Sequence, residues 1–203
     1  HIAARKGHTA IIEKLMECES QAIDAPDGQG LTPMHFAVAF GHVAVVELLV
    51  RLGSRALDVL DDEGCTPMYT AACNGYASVI EILVRLGSTA VDTPDIIGKT
   101  PIYTAALNGH VSAIEALVRA GSRAIDTPNN SGVTPLHVAA SNGHVSTIEA
   151  LVRLGSKAVN AFCKYGRTPL FYASVQSQLS AVKILVRLGS TSIDTPDRVG
   201  CTA

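Results

Sequence analysis

Apolar residues along this chain recur in blocks that repeat every 34 positions. In residues 43–52 they stand at helical spacing, which predicts a helix there and in the matching segment of each later unit. A shorter block, residues 33–40, begins with Thr32-Pro33 and ends before Gly41, so we expect a first helix of about eight residues. Helices this short are unstable alone in water, and each unit therefore needs its neighbours in a one-dimensional stack.

The repeat stays in register along the whole chain. A Thr-Pro pair opens one helix per unit, at Thr32, Thr66, Thr100, Thr134 and Thr168. This register predicts a single array over residues 1–203. Its units are a partial unit 1–29, full units 30–63, 64–97, 98–131, 132–165 and 166–199, and a partial unit 200–203.

Neither end of the chain carries a cap in this pattern. The chain opens inside one unit and closes as another begins, so we expect it to be a piece of a longer array. In this chain no neighbouring unit would cover four apolar residues at the first end: Ile2, Ile11, Ile12 and Leu15.

Charged residues mark the solvated side of the second helices. Glutamate precedes arginine by four positions at Glu47/Arg51, Glu81/Arg85, Glu115/Arg119 and Glu149/Arg153. This order predicts ion pairs within each helix. At the two ends the pattern changes to Glu13/Glu17 and Lys183/Arg187.

Residues 134–144, TPLHVAASNGH, resemble the signature of the ankyrin repeat family, and the resemblance recurs in register over residues 1–203. It implies an all-α repeat solenoid of stacked helix–turn–helix ankyrin repeats with projecting β-turn or hairpin loops. The chain departs from the family pattern in its 34-residue period, whose extra residue lies in a Gly-Ser-x-Ala-x-Asp turn, since the family's usual repeat has one residue fewer. Phe171 replaces the motif histidine, and Ser177-Gln178 replaces the Gly-His pair. Glu19 stands where glycine is expected.

Composition narrows the class of protein further. Hydrophobic residues make up 47% of the chain and charged residues 17%, which is enough apolar surface for a folded core. No apolar run reaches the roughly 20 residues that cross a bilayer, so direct membrane contact is not expected. The cysteine count is odd at 5, and no pair has CxxC spacing, which favours a reducing, intracellular and cytoplasmic location.

The histidines invite a catalytic or metal-binding interpretation. All 7 stand at two repeat positions, and other units carry Tyr69, Tyr103 or Phe171 at one of them. A required ligand does not tolerate replacement by phenylalanine, so we interpret these histidines as structural. We expect no catalytic residue, metal, cofactor or enzyme activity in this chain.

The resemblance implies that a partner protein or peptide binds the concave side, built from the turn tips and the exposed positions of the first helices. These are also the places where the units differ most, and structure holds the remaining positions constant. The candidate partner-binding residues are Leu31, Phe40, Asp62, Glu63, Asn74, Ile96, Ile97, Lys99, Leu107, Asn108, Val133, Asn142, Lys164, Tyr165 and Arg167.

Ile96 and Ile97 replace polar residues at a turn tip that should face water. Together with Leu31, Phe40, Leu107 and Val133 they would form an apolar stripe, a feature typical of interfaces. The alternative is that one isoleucine folds back onto the next tip.

Charge is split along the chain. Residues 1–149 hold 9 Lys+Arg and 16 Asp+Glu, whereas residues 150–203 hold 7 Lys+Arg and 2 Asp+Glu. The net charge of −2 is therefore the sum of a negative first part and a positive last part. Acidic residues at tip 61–63 and basic residues near Lys164 and Arg167 should lie roughly 30 Å apart. An extended partner of complementary charge would span that separation, whereas a solvated surface without a partner is the alternative.

A protein-binding scaffold is therefore the main hypothesis. The first alternative is the cytosolic ankyrin arm of a larger multidomain or membrane protein, and the second is a structural spacer without its own partner. Nucleic-acid binding through the basic units is disfavoured by the negative charge of the other units. Self-association is left open.

Overall fold

The computed structural model describes residues 1–18 and 22–203, and twelve α-helices lie within these segments. They are α1 (Ile2–Arg5), α2 (Thr9–Glu17), α3 (Pro33–Ala39), α4 (Val43–Arg51), α5 (Pro67–Cys73), α6 (Ala77–Arg85), α7 (Pro101–Leu107), α8 (Val111–Arg119), α9 (Pro135–Ser141), α10 (Val145–Arg153), α11 (Pro169–Val175) and α12 (Leu179–Arg187). No strand is assigned in the described segments, so the predicted all-α repeat fold is confirmed. Glu19 lies outside the described residues. None of the described helices combines the length and hydrophobicity that a membrane span requires.

The helices form two layers. The first helices of successive units, α1 to α11 in odd numbers, contact one another in chain order, and the even-numbered second helices do the same. One apolar core runs along the stack and is built from equivalent positions of each unit. Its fully buried members include Met34, Met68, Ile102, Leu136, Leu170, Leu83, Leu117 and Leu151. Each such side chain contributes about 1.5–3 kcal/mol when it leaves water.

Threonine and proline start the first helices as the sequence predicts. Thr66 Oγ1 accepts the Tyr69 N–H at 3.1 Å, and proline occupies the first helical position, where no N–H is needed. Helix α3 ends at Ala39, one residue earlier than predicted, because Phe40 is its cap and Gly41 turns the chain with a φ of 69°.

Charged residues of the second helices pair between units, so the predicted pairing within one helix is wrong. The guanidinium of each arginine reaches back to the glutamate of the preceding second helix, as Arg119 Nη2 does to Glu81 Oε1 at 2.8 Å. The other pairs are Arg51–Glu13, Arg85–Glu47, Arg153–Glu115 and Arg187–Glu149. The pairing therefore continues at both ends, where the sequence indicated a change. Because the side chains are exposed, each pair contributes only about 0–1 kcal/mol.

The Gly-Ser-x-Ala-x-Asp turn forms a clamp between units. Ser88 Oγ donates to Asp58 Oδ1 of the preceding unit at 2.5 Å, and the Thr89 N–H donates to Asp58 Oδ2 at 2.9 Å. The same two bonds are donated to Asp24 by Ser54 and Arg55, to Asp92 by Ser122 and Arg123, and to Asp126 by Ser156 and Lys157. Burial raises the pKa of Asp58, but the hydrogen bonds from Ser88 and Thr89 outweigh it and hold the pKa below its ordinary value.

The motif histidines also bond to the next unit. His137 Nδ1 lies 2.8 Å from Thr134 Oγ1 at the helix start, and His137 Nε2 lies 3.1 Å from the Arg167 carbonyl oxygen of the following turn. His35 makes the equivalent contacts, with its Nε2 3.2 Å from the Cys65 carbonyl. Their structural role, inferred from the sequence, is therefore confirmed by these bonds.

The first end of the stack is less exposed than the sequence predicts. Ile2, Ile11 and Leu15 are exposed, but Ile12 is 7% exposed and belongs to the core, so its predicted exposure is wrong. Ile12 is buried because it lies on the side of α2 that faces the stack, and α2 contacts α4 of the next unit.

Replacing Ser88 by alanine removes the hydroxyl that binds Asp58. We expect Ser88→Ala to lower the free energy of unfolding by about 1–3 kcal/mol, because a half-buried carboxylate loses a charge-assisted bond. Ser78→Ala on the exposed side of α6 is the matched control, with an expected change below about 0.5 kcal/mol. Urea denaturation followed by circular dichroism measures both, and equal effects would contradict the clamp.

Acid should destabilise the fold through His137. Burial lowers the pKa of His137 to about 4, whereas an unfolded histidine titrates near 6.5. Between these values only the unfolded chain takes up the proton, so the free energy of unfolding decreases as the pH falls through this window. We expect a loss of about 2 kcal/mol between about pH 7 and about pH 5 from this residue.

His137→Phe is the variant that tests this expectation, since Phe171 already occupies the equivalent position. Its free energy of unfolding should depend less on pH than that of the parent chain. Some dependence should persist, because burial also lowers the pKa of His35. Parallel pH profiles for parent and variant would show that His137 is not responsible.

Candidate protein-binding surface

A polar turn projects from each unit just before its Thr-Pro pair. In one of them Asp61 Oδ1 accepts the N–H groups of Glu63 at 3.0 Å and Cys65 at 2.8 Å. The same two bonds form at Asp27, Asp95, Asn129 and Asp197. These carboxylates and this amide hold the backbone of five tips in one shape, whatever side chains the tip carries, whereas Cys163 stands at this position in the tip of Lys164 and Tyr165.

Neighbouring tips are joined by main-chain hydrogen bonds. The Ile96 N–H donates to the Glu63 carbonyl at 3.1 Å, and the Asn130 N–H donates to the Ile97 carbonyl at 3.0 Å. Equivalent bonds continue along the stack from Asp62, Lys164 and Arg198. We call the aligned residues the tip ridge: Asp62, Glu63, Ile96, Ile97, Asn130, Ser131, Lys164, Tyr165 and Arg198.

Both isoleucines of the ridge are exposed. Ile96 has 68% and Ile97 has 48% of its surface accessible, so neither is buried against the next tip. Tyr165 is 54% exposed, and Asp62, Glu63 and Lys164 are also exposed. The structure therefore brings these six predicted site residues together on one aligned surface.

The predicted residues on the first helices are divided between exposed and structural positions. Phe40 is 46% exposed, and the Arg5 guanidinium lies 5.2 Å from its ring centroid. Asn108 and Asn142 follow α7 and α9, and their side-chain amides donate to the carbonyls of Cys73 and Leu107 in the preceding unit at 2.9 and 3.0 Å.

Asn74 differs from these two asparagines because its amide donates to the Thr70 carbonyl of its own helix at 3.0 Å. All three asparagines are exposed, yet each also satisfies a carbonyl at a helix end. Each asparagine is therefore exposed to solvent and also makes a hydrogen bond within the fold.

The apolar stripe is smaller than the sequence predicts. Val133 is 8% exposed and belongs to the core, because its unit packs it beneath the tip. Leu31, Leu107 and Lys99 are half-buried, and Leu107 packs against the core. Exposed apolar surface among the predicted residues is thus concentrated at Ile96, Ile97 and Phe40.

Arg167 has a structural contact that the sequence did not indicate. Its Nε donates to Asp197 Oδ2 of the next turn at 3.0 Å, and the guanidinium lies 5.0 Å from the Phe171 ring centroid and 5.8 Å from that of Tyr165. Phe171 stands where other units have a hydrogen-bonding histidine or tyrosine. Arg167 therefore supplies the bond to the following turn that Phe171 cannot make.

The described residues show little sign of reactive chemistry. Among them no group of three histidine, cysteine or acidic side chains is placed to hold a metal ion. Burial, reinforced by Asp61 and Asp95, raises the pKa of the Cys65 thiol to about 12, so this thiol is protonated near neutral pH. The exposed predicted residues provide apolar side chains, aromatic rings and charges.

Comparison with known proteins agrees with this geometry. A family model described as ankyrin repeats (3 copies) matches residues 1–95, 52–127, 87–158 and 122–197. The crystal structure of the human ASB11 ankyrin repeat domain is similar, with a TM-score of 0.85, and the alignment covers 100% of this chain and 88% of that chain. The sequence identity is 24%, so this likeness shows the fold alone. A comparison with curated proteins found no match.

The matched segments overlap and together extend over residues 1–197, which is nearly the whole chain. They include all twelve described helices and every tip-to-tip bond except the one that Arg198 donates. The chain belongs to the ankyrin repeat family, whose members are generally protein–protein interaction modules.

Proposed function

We propose that this chain is a protein-interaction scaffold that binds a partner protein or peptide along the tip ridge and the adjoining exposed ends of the first helices. This is the side on which the sequence analysis placed the candidate residues. The scaffold holds the ridge rigid, and the partner contacts the side chains that vary from unit to unit.

One observation carries this proposal: Ile96 and Ile97 expose apolar side chains from a backbone that is fixed on both sides. The Ile96 N–H and the Ile97 carbonyl are both bonded to neighbouring tips, and Asp95 Oδ1 accepts the Ile97 N–H. A hydrogen-bonded backbone thus holds both side chains exposed to solvent. Burying each against a partner would contribute about 1.5–3 kcal/mol, with little backbone ordering to oppose it.

Tyr165 on the tip ridge and Phe40 at the end of α3 provide aromatic surface. Each is about half exposed, and each has an arginine guanidinium beside its ring. Aromatic rings with adjacent arginine are enriched among the residues that dominate binding energy at protein interfaces.

Placing charge on the isoleucine tip should abolish partner binding. We expect Ile96→Asp/Ile97→Asp to weaken binding by about thirtyfold or more, because an apolar contact of hot-spot strength is replaced by carboxylates that must be desolvated. Affinity capture from an extract of the source cells identifies the partner, and titration calorimetry with the purified partner measures the change. Leu107 is left unchanged because it packs against the core.

Leu179→Asp is the matched control, since Leu179 is 63% exposed but lies at the start of a second helix, away from the ridge. Circular dichroism should show both variants folded. A partner lost only with the isoleucine variant supports the proposal. A partner retained by both variants, or the absence of any selective partner, contradicts it and favours the interpretation as a structural spacer.

A further inference from the structure

The tip ridge presents its chemistry in a fixed and asymmetric order. Because each tip is bonded to the next, the order along the stack follows the chain. It runs from acidic Asp62 and Glu63 to apolar Ile96 and Ile97, then to neutral Asn130 and Ser131, then to Lys164 with Tyr165, and finally to Arg198. The apolar tip is one unit from the acidic tip and two units from the first basic tip.

The charges at the two ends of this order are not used within the molecule. None of the ion pairs found among residues 1–18 and 22–203 includes Asp62, Glu63, Lys164 or Arg198. The tip carboxylates that stabilise turns belong to other residues, such as Asp61 and Asp95. The four exposed charges are therefore available to a binding partner.

The spacing of the tips sets the spacing of a matching partner. Stacked helices lie about 8–10 Å apart, so one unit corresponds to about three residues of an extended chain at about 3.3 Å each. The step from the acidic to the apolar tip thus matches about three residues, and the step from the apolar tip to Lys164 matches about six.

We propose that the ridge binds an extended peptide segment that carries a basic residue, an apolar residue about three positions away, and an acidic residue about six positions further on. This inference rests on the proposed function and specifies its partner. The apolar residue supplies burial against Ile96 and Ile97, while the two charged ends fix the position and direction of the peptide, since fixed charges at an interface give specificity more than affinity.

The asymmetry of the order makes the inference testable with a random peptide display library. One selection uses the parent chain, and the other uses the charge-exchanged variant Asp62→Lys/Glu63→Lys/Lys164→Glu/Arg198→Glu, first shown by circular dichroism to be folded. Peptides selected by the parent should have their apolar residue close to the basic residue. Peptides selected by the variant should have it close to the acidic residue, because the charges have moved while Ile96 and Ile97 have not.

A synthetic peptide from the parent selection provides the quantitative check. Its affinity for the charge-exchanged variant should be roughly ten- to thirtyfold lower at low salt, as expected for a few exposed charge pairs turned from attraction to repulsion. The difference should narrow as salt is added, because exposed charges are screened over about 10 Å at about 0.1 M salt.

Three results would overturn the inference. The first is the same residue order in both selections, and the second is no enrichment in the parent selection. The third is sedimentation at low salt that shows the parent as a dimer and the variant as a monomer, which would assign the charged ridge to a second copy of the chain. If a captured partner is lost with Ile96→Asp/Ile97→Asp but binds the charge-exchanged variant unchanged, the proposed function holds and this inference fails.

Discussion

Contact between neighbouring units is the constraint on which the whole structure depends. A first helix such as Pro101–Leu107 has 7 residues, too few to be stable alone in water. Ile102, Ala105 and Ala106 of that helix are fully buried, and the alanines let adjacent helix backbones approach closely. The other interactions that recur in the chain, namely the serine–aspartate clamp, the arginine–glutamate pairs and the tip-to-tip bonds, also join one unit to the next. Stability is therefore a sum over nearest neighbours.

The contact between a first helix and the following turn shows how different residues meet one requirement. His35 lies within hydrogen-bonding distance of the Cys65 carbonyl. The Tyr69 hydroxyl donates to the Asp95 carboxylate, and the Tyr103 hydroxyl accepts from the Asn129 amide. Where phenylalanine removes the polar group at position 171, Arg167 of the same unit bonds to Asp197 instead. The requirement is a polar link to the turn that follows, and no single side chain is needed for it. This explains why the histidines alternate with tyrosine and phenylalanine along the repeat.

Much of the fold was predictable because its determinants are local. Thr-Pro helix starts, glycine helix ends and the 34-residue register depend on backbone preferences within a few residues, and the exposure of Ile96 and Ile97 follows from their place at a tip. Pairing between units was not predictable in the same way. Arg51 has two candidate partners, Glu47 four positions earlier in its own helix and Glu13 in the preceding second helix. It pairs with Glu13, and this choice depends on how the two helices are placed side by side. Likewise Val133 lies just after a tip, but packing with the neighbouring elements buries it. The burial of Ile12, by contrast, follows from the register, because Ile12 stands at the repeat position of buried Val46 and Ile80.

The ridge separates recognition from stability more fully than the rest of the chain does. The backbone of the Ile96 tip is held by Asp95 and by main-chain bonds, so replacing Ile96, Ile97, Asp62 or Glu63 removes no bond that defines the fold. Arg167 is different, because it binds Asp197 of the following turn while it lies beside the ring of exposed Tyr165. A change at Arg167 would alter the stack and the surface together, whereas Lys164 and Arg198 alter the surface charge alone. Tips built in this way accept new side chains without a loss of packing, so the surface chemistry of a tip varies independently of the fold.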